Sequence, residues 1–230
     1  MQIRFIAHMI DQLDFALDHI GLQDANYKRL SLMLVDNAME LALHELAEEE
    51  QRQHKYDRDL SEDFRSAMGA ALGRHFESKV KFARLTGFLS EEVAHSIVTL
   101  HFYRNQLHHR GLMHEEILHS LAMFYFHVAC DVMMALPHFG YSWGSYTKLP
   151  MRAIKYLGKL PLKDVEKTIA AAWSRLREVA TALPYNLSID LHTQLTAVVT
   201  ETDEFLDYLS KGHPQKMSRD ELAMRGFQLP

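Results

Sequence analysis

The sequence contains a single cysteine, Cys130, among its 230 residues. One cysteine cannot build an intramolecular disulfide framework, so the small secreted folds that depend on disulfides are excluded. Cys130 lies in the apolar run FYFHVACDVMMAL, which indicates a buried free thiol in a reducing compartment. The chain is long enough for one large or two small domains with a substantial core.

The sequence also lacks an uncharged apolar stretch of the roughly 20 residues that a membrane-spanning helix needs. Arg4, Asp11, Asp14 and Asp18 interrupt the N-terminal segment with charges, which is not the pattern of a signal peptide. These two absences predict a cytoplasmic protein that has no membrane association.

An excess of positive charge is missing as well. The formal net charge is -5, which argues against a protein that coats nucleic acid through bulk electrostatics, although a local basic site remains open. Strand patterns are weak along the whole sequence, and we find no repeat or low-complexity tract. The predicted fold class is therefore all-α.

Apolar residues recur instead at the spacing of amphipathic helices. The predicted helices cover residues 3–20, 27–52, 63–87, 90–110, 114–136, 162–183 and 188–210, with a short helix inside 137–161 and another starting near 218. We expect residues 1–136 to form a helical bundle and residues 137–230 to form a C-terminal helical extension packed on it.

Two kinds of metal site deserve comparison with the histidine pattern. The segment HEEILH spaces His114 and His119 by five residues, whereas a zinc protease helix needs a spacing of four. Two Glu-x-x-His pairs, Glu92/His95 and Glu116/His119, have the spacing used in di-iron bundles. Each pair lies in the first turn of its own helix, so antiparallel packing would separate the pairs by roughly 30 Å. We therefore expect no metal and no cofactor. A di-iron helical bundle is the remaining alternative to this expectation.

The predicted helix that begins after Ser90 carries an arginine on its apolar side. Val93, Ile97, Leu100, Arg104 and Leu107 follow one another at spacings of four, three, four and three. A charge in an apolar stripe either extends to solvent, pairs with a carboxylate of the bundle, or belongs to a functional site.

The neighbours of Arg104 favour a functional site. Asn105, His108 and His109 follow it at the same helix end. A guanidinium binds phosphate oxygens bidentately, and an imidazole exchanges a proton near neutral pH. Without an accompanying carboxylate pair or metal-ligand set, these residue types suit a metal-free reaction on a phosphodiester, for which RNA supplies its own 2′-hydroxyl nucleophile.

The segment Arg-Asn-x-x-x-His at 104–109 resembles the Arg-x(4–6)-His signature of the HEPN superfamily. The stretch LVDNAMELALHEL resembles the early acid-containing helix of that family, and the likeness covers roughly residues 25–136. The resemblance implies a HEPN-like helical bundle and a metal-independent endoribonuclease. Such enzymes serve as toxins, phage-defence effectors or RNA-processing enzymes.

The resemblance also implies roles for individual residues. Arg104 would stabilise the phosphorane transition state, His109 would transfer protons, and Asn105 would orient the histidine or the phosphate. An acid of the early helix, Glu40 or Asp36, would hold Arg104 or a histidine.

Further expectations concern the second imidazole and the partners. His108 is an alternative to His109, because both fall where the helix ends. Members of the family typically pair as homodimers with two motifs across a cleft, so we expect a homodimer with a composite site. The expected partners are RNA and, for a toxin, a cognate antitoxin.

A local excess of basic residues follows in the C-terminal third. Lys148, Arg152 and Lys155, together with Arg110 beside the motif, are candidates for RNA binding. An ordinary solvated helix face would show a similar pattern. The alternative to the enzyme is a non-catalytic helical module that binds RNA or acts as an adaptor.

Overall fold

The structure is a computed structural model that describes residues 1–57, 59–110, 115–137, 140–161, 163–212 and 217–226, with the side chains of 108–110 and 226 left out. All regular elements in these ranges are helices, which confirms the all-α class and the helical bundle. The α-helices are α1 Ile3–Ile20, α2 Ala25–Gln53, α3 Glu62–Ala71, α4 Phe76–Leu85, α5 Glu91–Arg110, α6 Leu118–Ala135, α7 Met151–Leu157, α8 Val165–Ala180, α9 Leu187–Gly212 and α10 Arg219–Gly226. A short 3-10 turn, Glu115–Ile117, precedes α6.

Most predicted helices agree with the structure within a few residues, but the single helix expected over 63–87 is wrong. The structure divides it into α3 and α4, which are separated by a turn around Gly73. Gly73 donates its backbone N–H to the carbonyl of Ala70, and its own carbonyl accepts a hydrogen bond from the ammonium of Lys79. These bonds satisfy backbone groups that the interrupted helix would otherwise leave unpaired.

The chain forms two compact units, Met1–Tyr185 and Asn186–Pro230. The first unit contains α1 to α8, and the second contains α9 and α10. The expected boundary at 136/137 therefore does not coincide with this division. α7 packs on α1 and α8 packs on α6, so both belong to the first unit.

α2 and α6 pack against each other in the first unit, and α1 lies against both. α6 is apolar around most of its circumference, as expected for a helix surrounded by others. Among the described residues, one helical stretch, Glu115–Ala135, has the length and mean hydropathy (1.4) of a membrane-spanning helix, and 67% of its apolar window is buried inside the protein.

A buried carboxylate attaches α7 to α1. Asp14 accepts hydrogen bonds from Arg152 (2.8 Å), Lys155 (3.0 Å) and the hydroxyl of Tyr156. Burial raises the pKa of Asp14, but the bonds from Tyr156, Arg152 and Lys155 outweigh burial, so the pKa lies below its ordinary value of 3.8. The ionised carboxylate is therefore the form that the fold stabilises.

We expect Asp14→Asn to lower the free energy of unfolding at pH 7 by about 1–3 kcal/mol, since hydrogen bonds to a charge are lost. Because the folded state depresses the pKa, this stabilisation is present above pH 3.8 and is lost as the pH falls through the folded pKa. Urea unfolding between pH 7 and pH 3 should therefore show a weaker pH dependence in the variant. The more exposed Asp18, which also binds Arg152, provides the control Asp18→Asn, and an equal effect in both variants would contradict the assignment.

The second unit consists of a long helix and a short one. α10 packs on α9, and Arg219 forms ion pairs with Asp203 (2.6 Å) and Asp207 (3.0 Å) of α9. No residue of α9 is buried.

Candidate functional site

The site is built on α5, whose start and apolar face follow the sequence pattern. Ser90 caps the helix, since its hydroxyl oxygen accepts a hydrogen bond from the backbone N–H of Val93 (3.3 Å). Ile97, Leu100 and Leu107 of the stripe are buried. Arg104 lies in the same stripe with its side chain 30% exposed. α5 therefore carries a half-buried guanidinium between buried leucines.

Asp36 of α2 is the partner of this helix. Its side chain is completely buried, which makes unpaired ionisation costly. It accepts a hydrogen bond from the Tyr125 hydroxyl of α6 (2.8 Å), and both its oxygens lie near Nδ1 of His101 (2.9 and 3.1 Å). Nε of Arg104 lies 3.2 Å from Oδ2, an ion-pair distance without hydrogen-bond alignment. One carboxylate thus joins three helices through three side chains.

Arg104 is oriented by two contacts. Nε faces Asp36, and Nη1 donates a hydrogen bond to Oδ1 of Asn105 (2.8 Å). These contacts fix the plane of the guanidinium while its side chain keeps partial access to solvent. A planar, permanently charged group that is held in this way is suited to an anion with two adjacent oxygens, such as a phosphate.

The sequence reasoning missed His101. This histidine lies three residues before Arg104 on α5, and its imidazole stacks on the Phe76 ring at a centroid distance of 3.9 Å and an interplanar angle of 6°. Its side chain is 19% exposed. The signal available in the sequence was the i, i+3 spacing of His101 and Arg104, which places both on one helix face.

Tyr125 supplies the network with a neutral donor. Burial, followed by the adjacent Asp36 charge, raises the pKa of Tyr125 well above its ordinary value of 10.0. The phenol therefore stays protonated at neutral pH, and it serves as a hydrogen-bond donor to the carboxylate.

Glu40, the other acid considered for this position, has a different partner. It lies one turn after Asp36 on α2, and its Oε1 is 3.9 Å from Nζ of the buried Lys79. Of the two acids that the sequence left open, Asp36 contacts Arg104, and Glu40 pairs with a lysine of α4.

The side chains of His108, His109 and Arg110 lie outside the described residues, so their predicted roles remain predictions. The backbone just before them is fixed to α2, because Nη2 of Arg29 donates a hydrogen bond to the carbonyl of Leu107 (2.7 Å).

The basic candidates of the C-terminal third are placed elsewhere in the fold. Arg152 and Lys155 bind Asp14, so their charges are compensated by a carboxylate that attaches α7 to α1. Their expected role in RNA binding stays a prediction. Lys148 lines an open groove of about 370 Å³ together with Arg4 and Tyr146.

No three of the described His, Cys, Asp or Glu side chains are grouped in a way that could hold a metal ion. The two Glu-x-x-His pairs considered for a di-iron site therefore do not meet in such a group. His119 instead places Nε2 3.0 Å from the carbonyl of Pro184.

Comparison of the chain with protein-family models, with curated proteins and with solved structures gave no match in any of the three searches.

Proposed function

We propose that this protein is a metal-independent endoribonuclease of HEPN type, which cleaves RNA by transesterification through the 2′-hydroxyl. The observation that carries the proposal is the buried Asp36 carboxylate, which holds Arg104 at a half-exposed position five residues before His109. Burying a carboxylate in the core is costly unless its partners compensate it. Here the partners include a guanidinium whose side chain remains 30% exposed.

In this proposal Arg104 binds the scissile phosphate and stabilises the negative charge that develops on its non-bridging oxygens. Asn105 keeps the guanidinium in a fixed orientation by accepting a hydrogen bond from Nη1. His109 donates a proton to the 5′ oxygen as it leaves, and His108 is the alternative donor. No metal ion takes part in this scheme, because the arginine provides the charge and RNA provides the nucleophile.

The assembly belongs to the same proposal. A homodimer would bring two motifs to one cleft. Such an enzyme would act in the cytoplasm as a toxin or a phage-defence effector. An antitoxin would then be a second partner. Sedimentation velocity of the full chain tests the assembly, since a species of twice the mass of one chain is expected.

The experiment that tests the activity is incubation of the purified full chain with end-labelled RNA in EDTA. We expect cleavage products with a 2′,3′-cyclic phosphate at one end and a 5′-hydroxyl at the other. A general acid typically contributes about 10²–10⁴-fold to such a rate, so His109→Ala should reduce the rate by at least about 100-fold.

His95→Ala is the matched control, because His95 is an exposed histidine on the same helix. It should cleave at the rate of the unmodified chain. Intact RNA that remains bound to the unmodified chain would replace the enzyme with the alternative, a non-catalytic RNA-binding module. Intact RNA without binding would reject both.

A further inference from the structure

We propose that His101 is the general base of this site, oriented by Asp36, and that it accepts the proton of the RNA 2′-hydroxyl. The inference rests on the proposed ribonuclease activity and extends it. It assigns a residue outside the Arg-x(4–6)-His segment, on the N-terminal side of Arg104.

The tautomer of His101 follows from its contact with Asp36. An ionised carboxylate only accepts hydrogen bonds, and both its oxygens lie within 3.1 Å of Nδ1. Nδ1 therefore carries the hydrogen and donates it. In the neutral ring Nε2 then has the lone pair and is the atom that accepts a proton. This is the arrangement in which a carboxylate orients an imidazole and stabilises the imidazolium formed when it takes up a proton.

The ring is also fixed in position by packing. Phe76 stacks on the imidazole in nearly parallel orientation, which restricts rotation about the side chain and leaves the ring edge as its polar part. A base whose orientation is fixed before substrate binds avoids reorganisation during the reaction.

His101 and Arg104 share the face of α5 that contacts Asp36. Through this one carboxylate, the base and the phosphate-binding guanidinium are held at a fixed separation. Among the described residues, Asp36 of α2 contacts His101 directly, and Arg104 of α5 and Tyr125 of α6 contact the same carboxylate. One turn further along α2, Glu40 pairs with Lys79 of α4.

The step balances within the proposed reaction. Nε2 of His101 takes the proton of the 2′-hydroxyl, and the 2′ oxygen forms a bond to phosphorus. The bond from phosphorus to the 5′ oxygen breaks, and that oxygen takes a proton from the general acid, the role assigned above to His109. The products are a 2′,3′-cyclic phosphate and a 5′-hydroxyl.

The decisive variant is His101→Asn, because the amide nitrogen of asparagine takes the place of Nδ1 and can still donate to Asp36. The variant lacks the basic Nε2 and the ring that stacks on Phe76. We expect the single-turnover rate in EDTA to fall by about 100-fold or more. The dissociation constant for RNA should change by less than about 3-fold. The rate of the unmodified chain should fall at acid pH, where the base is protonated, and this fall should be absent from the pH profile of the variant.

A second variant separates chemistry from structure. His101→Ala leaves a space beside Phe76, and added imidazole should restore part of the rate in a concentration-dependent manner, which a purely structural role would not permit. The control His95→Asn should behave as the unmodified chain. Circular dichroism melting of each variant establishes that it is folded.

The possible outcomes are distinct. If the unmodified chain does not cleave RNA, the proposed function fails, and this inference fails with it. If the unmodified chain cleaves and folded His101→Asn keeps both its rate and its acid limb, the ribonuclease stands and His101 is not its base. A folded His101→Ala that imidazole does not rescue also argues against the assignment.

Discussion

Arg104→Lys should lose at least about 100-fold of the RNA cleavage rate, although it keeps the positive charge. The guanidinium faces Asp36 through Nε and Asn105 through Nη1. A lysine ammonium carries its three N–H donors on one nitrogen and has no planar fork, so it cannot keep both contacts while it also binds a phosphate. Single-turnover cleavage of end-labelled RNA in EDTA measures the effect, and a binding titration with uncleavable 2′-deoxy substrate separates it from loss of affinity.

Arg84→Lys is the matched control for this substitution. Arg84 is an exposed arginine of α4 that pairs with Glu91 at 3.4 Å, and exposed ion pairs contribute little to stability. Its cleavage rate should remain unchanged. An Arg104→Lys protein that is folded and as active as Arg84→Lys would remove Arg104 from the reaction.

Asp36→Ala should show the largest loss of stability among single substitutions at the site, about 3–5 kcal/mol in the free energy of unfolding. The substitution leaves Arg104, His101 and the Tyr125 hydroxyl without the carboxylate that compensates them. It also leaves a void in a region of close contact between α2, α5 and α6. Urea denaturation followed by circular dichroism gives the change from the midpoint at constant slope.

The neighbouring Asn37 provides the control for Asp36. Asn37 is exposed on the same helix, and its side chain makes one long hydrogen bond, to Gln12 at 3.4 Å. Asn37→Ala should change the free energy of unfolding by less than about 0.5 kcal/mol. Equal stability of the two variants would show that Asp36 does not compensate the charges around it. Asp36→Asn, which keeps the volume, should lie between the two.

Helical periodicity predicted the fold class and most helix boundaries, because the apolar spacing within a single segment is enough to identify the buried face of an amphipathic helix. α1 and α5 begin and end close to the predicted residues. The exception is the segment 63–87, where the apolar spacing continues through the turn at Gly73. The turn is stabilised by hydrogen bonds that Gly73 donates and accepts. Periodicity records only the positions of apolar residues, so it does not show a break that depends on hydrogen bonds.

The basic segment of the C-terminal third shows that ion-pair partners, too, are not evident from the sequence. Local charge density predicts Arg152 and Lys155 as RNA-binding residues, and this stays a prediction. It gave no sign that both bind an aspartate more than 130 residues away in the sequence. Helix packing decides whether a surface lysine has a carboxylate as its partner, and the sequence around the lysine does not show which distant residue packs against it.

The sequence by itself determined that a helix would carry Arg104 on its apolar side and that a buried charge there would need a partner. Only the tertiary structure decided which partner it has. Asp36 and Glu40 lie one turn apart on the same face of α2, so the choice depends on how far α5 is shifted along α2 and rotated towards it. The same packing brings His101 to Asp36 across 65 residues of chain, because the distance between two side chains is set by the contacts of whole helices and not by their separation in sequence.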